Sequence, residues 1–139
     1  MKRALLALAV AATLLASATP AARAALDTAD MAGRYVKPYR TAADGSLGVW
    51  LDRRGRMEVT WFRGGLERGD WGTASYACVA PLDGGGYIAE HVAGPTIGFP
   101  DRSGGHVVAI KPAAPGWAQF LYFGRDGPVR TDLELRVRS

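Results

Sequence analysis

The chain has 139 residues, 48% of them hydrophobic, a length that supports one domain around a single modest core. Its formal charge of +4 is concentrated at the start: without Lys2, Arg3 and Arg23 the 17 basic side chains fall to 14 against 13 acidic ones. That near balance weakens a nucleic-acid reading, which requires a concentrated excess of Lys and Arg, and no nucleic-acid partner is expected.

Residues 1–24 read as a signal peptide. Met1-Lys2-Arg3 supplies a positive n-region, Ala4 to Ala16 an apolar run too short to span a bilayer comfortably, and Ala22-Arg23-Ala24 a cleavage signature. The expected product is a single exported β-domain over residues 25–139, periplasmic or secreted and not membrane-spanning. All 18 glycines fall within it, as suits short strands joined by tight turns. Cys78 is the only cysteine. It cannot form an internal disulfide, and its small apolar neighbours mark it as a buried free thiol.

From Asp27 or Thr28 a single helical turn fits before Gly33, and Arg34 to Lys37 reads as a first strand ended by Pro38. A turn over Thr41 to Gly45 leads to the most informative stretch, Leu47 to Phe62. Pairing Leu51 with Met57 puts Leu47, Val49 and Leu51 opposite Trp61, Val59 and Met57 on one face, across a three-residue loop Arg53-Arg54-Gly55. A slip of one residue would turn all six into water. Arg53, Arg54 and Arg56 crowd the tip, where Asp52 and Glu58 offset part of their charge.

Beyond the glycine-rich loop after Phe62, strands are predicted over Thr73 to Ala80 and Tyr87 to Ala93, then His106 to Lys111 and Trp117 to Phe123. The longest irregular connection, Gly94 to Gly105, carries Ile97 and Phe99. In the last strand Val129, Thr131, Leu133, Leu135 and Val137 alternate strictly with charged residues. No helix is long enough for a parallel crossover. The pattern predicts an all-β fold: a small antiparallel meander barrel of about eight strands, with a two-sheet β-sandwich as the alternative.

Such a barrel is either filled by side chains or holds one small ligand. Trp61, Tyr76, Tyr87 and Trp117 are the aromatics expected to line it, with His91 and His106 as polar handles. Trp50, Phe62, Phe120 and Tyr122 are expected outside, as a surface for a protein partner or a second copy in a homodimer. The predicted function is a non-catalytic envelope module binding a small apolar ligand or a protein. Alternatives are a small hydrolase using Cys78 with a histidine, or a structural homo-oligomer. Cys78, His91 and His106 lack the spacing of a zinc site, and the glycine clusters lack the lysine of a phosphate loop, so no metal or cofactor is expected.

Gly33-Arg34-Tyr35 resembles the glycine-aromatic opening of lipocalins, and Thr131-Asp132-Leu133 resembles their Thr-Asp element. The second stands at the end of this chain, out of place for that family. Together they cover six residues, so no ligand or site is carried over.

Overall fold

The computed structural model describes residues 26–38, 45–63, 70–98 and 104–136. Strands β2 (Ser46–Leu51) and β3 (Arg56–Arg63) pair in the expected register, Leu47 opposite Trp61, Val49 opposite Val59 and Leu51 opposite Met57. All six side chains are buried. The Asp52 carboxylate closes the turn by accepting the amides of Arg54 and Arg56 at 2.8 and 2.9 Å. Gly55 sits at φ 86°, where a Cβ would be strained.

Six more strands complete the sheet: β1 (Gly33–Val36), β4 (Asp70–Pro81), β5 (Tyr87–Ala93), β6 (Val107–Pro112), β7 (Trp117–Gly124) and β8 (Gly127–Arg136). Each pairs antiparallel with its chain neighbour, and β8 returns to β1 with Tyr35 opposite Leu135. The result is a closed eight-stranded meander barrel rather than a two-sheet sandwich. Closure pairs the first and last strands, which an open meander would leave as its two edges.

One end of the barrel is plugged by the lead-in. After Asp27 caps the amide of Ala29, a 3₁₀ turn (Ala29–Met31) carries buried Met31 under the strands. The Thr28 hydroxyl, fully buried, donates to the Asp52 carbonyl at 2.6 Å and accepts the Gly55 amide at 2.9 Å. Tyr35 donates to the Met31 carbonyl at 2.7 Å, and Tyr87 to the Asp30 carboxylate, so the plug is tied to three strands or turns. At the opposite end the connection after β5 folds inward, burying Thr96 and Ile97. Residues 1–25, 41–44 and 64–69, Phe99 and Val137 lie outside the described residues, and with them the expected signal peptide.

Two features differ from the sequence reading. Strand β4 is longer than expected and is bulged between Ser75 and Tyr76 and between Cys78 and Ala80. Strand β7 has the opposite facing: Phe120 and Tyr122, expected outside, are 0% and 7% exposed, whereas Trp117 and Phe123 are 42% and 60% exposed. Both faces of β7 are apolar, so alternation alone does not choose between them. Its neighbours do: Ile110 pairs with Phe120, and Ala118 with Leu133, whose own strand has an unambiguous water face. Gln119 shares the face of Trp117 and Leu121, the one local sign of the outward side.

Phe120→Ala is expected to cost about 3–5 kcal/mol in denaturant unfolding, the usual range for deleting a buried phenyl ring. Phe123→Ala should stay within about 1 kcal/mol of the parent, since the outer ring packs little of its surface. Equal losses would contradict the facing of β7.

Candidate binding surfaces

Trp61, Tyr76 and Tyr87 line the interior as expected, but with Tyr35, Phe120, Tyr122 and the aliphatic side chains they fill it. The cavity at the loop end, bordered by Leu47, Trp61, Ile97 and Tyr122, measures about 50 Å³. Pockets for drug-sized ligands run to about 300–1,000 Å³, so this one is too small for a lipid. Trp61 is wedged against Gly72, where an added Cβ would lie 2.7 Å from its Cζ2. Trp117 lies on the outer face, so it does not line the interior.

The two histidines gather at the loop end. His91 stands edge-on to Tyr76 at 5.6 Å between ring centroids and to His106 at 6.0 Å. Its Nε2 lies 2.6 Å from the Gly94 carbonyl, an acceptor only, so Nε2 carries the proton and donates. The Tyr76 hydroxyl donates to the Gly105 carbonyl at 2.5 Å. These bonds pin both ends of the 94–105 connection to β4 and β5. The rings therefore serve to anchor a loop.

Cys78 is fully buried, its amide donating to the Gly55 carbonyl at 2.7 Å near the plugged end. Burial, reinforced by the negative charge of Asp52, pushes its thiol up to about 11. At neutral pH it is protonated and offers no nucleophile to solvent. Among the described residues no group of three or more His, Cys, Asp or Glu side chains could hold a metal ion.

The outer wall carries the larger concavities. One, of about 590 Å³, lies over the β4 bulges and is bordered by Arg56, Ser75, Ala77, Val79, Glu90 and Val92. The bulges bend β4 and open this hollow. Val92 is 63% exposed beside it. The apolar character continues across β5 to β7, where Ile88 pairs with Ala109 and Ala109 with Leu121. Val107 and Phe123 extend it toward the loop end and are well exposed. A second concavity, of about 360 Å³, lies over β8, β1, β2 and β3 and shares strand β3 with the first.

Comparison with protein-family models, curated proteins and solved structures finds no match. Function must be read from these surfaces themselves. No helix among the described residues is long and apolar enough to cross a membrane. Of the expected partner surface, Trp50 and Phe62 do lie on the outside, Phe62 paired with the 69% exposed Trp71 of β4. Phe120 and Tyr122 belong to the core. The sequence reading missed Val79, Val92 and Val107, which look in the sequence like ordinary strand residues.

Two outcomes follow for the buried titratable groups. Cys78 should be silent to a thiol reagent in the folded protein at pH 8 and react once denaturant is added. The Tyr87 phenol, hydrogen-bonded to Asp30 and partly desolvated, rises from 10.0 to about 12, and Cys78 from 9.0 to about 11. Both are raised, so the folded state binds more protons than the unfolded chain between those values. Their stabilisation is complete below pH 9 and is lost as pH climbs toward 12. Urea midpoints should therefore fall from pH 9 upward, and Tyr87→Phe should flatten the part of that fall above pH 10.

Proposed function

We propose that the protein is a non-catalytic binding module of the cell envelope that engages a protein partner through its outer wall. The observation that carries this reading is the hollow of about 590 Å³ over the β4 bulges, flanked by exposed Val92, Val107 and Phe123. An apolar surface of this extent on a closed barrel contributes nothing to the core, and contact with another apolar surface would relieve its hydration. Arg56 and Glu90 at the rim give the partner both signs of charge to meet. The filled interior favours a protein over a small apolar ligand taken into the barrel. Export follows from the leader pattern, and buried Cys78 lends no support to a thiol hydrolase.

A photoreactive phenylalanine analogue at position 92 tests this reading in the producing cell. Irradiation should give a discrete covalent adduct, and Phe123→Asp should lower its yield about tenfold, the effect of losing one central interface aromatic. The same analogue at the Arg53 turn should give none. Equal adducts from both positions, or none from position 92, would overturn the proposal. Titration with a fatty acid should leave the fluorescence of the buried tryptophan unchanged.

A further inference from the structure

The hollow over β8, β1, β2 and β3 has a composition unlike the apolar wall that adjoins it. Two cross-strand rows form it. In the first, Arg136 pairs with Arg34, Arg34 with Trp50, and Trp50 with Glu58. In the second, Glu134 pairs with Val36, Val36 with Gly48, and Gly48 with Thr60. Like charges placed directly opposite on neighbouring strands destabilise a sheet, yet Arg34 and Arg136 form one of the three residue pairs of the closure that completes the barrel. Local rules broken in this way mark positions kept for something other than folding.

Three further features share the place. The Arg34 guanidinium lies 5.6 Å from the centroid of the Trp50 ring, which holds it over the hollow by cation–π attraction. Gly48 leaves the floor beside Trp50 without a side chain, and an added Cβ there would meet only the Tyr35 carbonyl at 3.9 Å. Thr60 supplies a hydroxyl that is 3.1 Å from that of Thr73. The resulting hollow of about 360 Å³ lies within the range of small-molecule sites, about 300–1,000 Å³. Two carboxylates stand nearby, Glu134 at 4.0 Å from Arg136 and Glu58 at 3.6 Å from Arg56. Both pairs are largely exposed, and pairs of this kind are weak and readily exchanged for a better anion.

We propose that this hollow binds an acidic saccharide unit, a sugar ring bearing a carboxylate. Arg34 and Arg136 take the carboxylate by charge-assisted hydrogen bonds, which also removes their mutual repulsion. The C–H faces of the sugar lie against Trp50 and Val36 across the bare floor at Gly48, where polarised C–H groups meet the negative ring face. Ring hydroxyls meet the Thr60 hydroxyl and the Glu58 carboxylate, one able to donate and the other to accept. A neutral sugar offers the arginines no anion, and a bare anion leaves the aromatic wall unused.

The test is calorimetric titration of the processed full-length chain with trigalacturonic acid, maltotriose and inorganic phosphate. Trigalacturonic acid should bind, more weakly as salt is raised. Arg34→Gln and Arg136→Gln should each lower its affinity about tenfold or more, the loss of one charge-assisted contact. Gly48→Val should abolish binding by filling the floor, with the circular dichroism spectrum of the barrel retained. Absence of binding by trigalacturonic acid would overturn the proposal. So would equal binding of phosphate or maltotriose, or an affinity indifferent to the arginine and Gly48 variants. Because the hollow shares no lining residue with the one at Val92, its failure would leave the adduct at position 92 intact.

Discussion

The hydrogen bonding of β8 to β1 is the constraint from which the rest of the structure follows. Joining Tyr35 to Leu135 converts a meander into a ring, and a ring of eight strands has room inside for side chains and little else. Once the ring is closed, every strand residue is either inside or outside. Among the described residues Trp61, Tyr76, Phe120 and Tyr122 occupy the interior. Any recognition must then use the outer wall or the ends.

The ends are built differently. At one, tight turns and the 26–32 lead-in make a seal in which Thr28 satisfies a carbonyl and an amide of the first hairpin that would otherwise be buried without partners. Burying such groups unpaired costs about 1–3 kcal/mol each, so a single hydroxyl has a large structural effect. At the other end the 94–105 connection is held by Tyr76 and His91 through backbone carbonyls, and Ile97 completes the core from above. Tyr76, Tyr87 and His91, which suggest a ligand cup in the sequence, thus act as fastenings.

The outer wall divides into two characters. Across β3 to β7 it is apolar and bent by the β4 bulges, and across β8 to β3 it combines two opposed arginines, a tryptophan and a bare glycine floor. Neither arrangement improves the packing of the barrel. Folding requires an alternation of inward apolar and outward polar residues, and both surfaces depart from it in ways a second molecule could relieve.

How much of this was legible depends on how one-sided each segment is. The Leu47 to Phe62 hairpin and the strand through Leu133 have one greasy and one wet face, so the hairpin's register, the orientation of both and the all-β meander were determined by the sequence alone. Strand β7 is apolar on both faces, and only its neighbours' registers put Phe120 inside and Trp117 outside. The same holds for the surfaces. The Arg34–Arg136 pair and the Val92 hollow each join residues far apart in the chain, and their meeting depends on ring closure and on two bulges. Periodicity states which way a side chain points relative to its own strand, whereas proximity between distant strands arises only when the sheet closes.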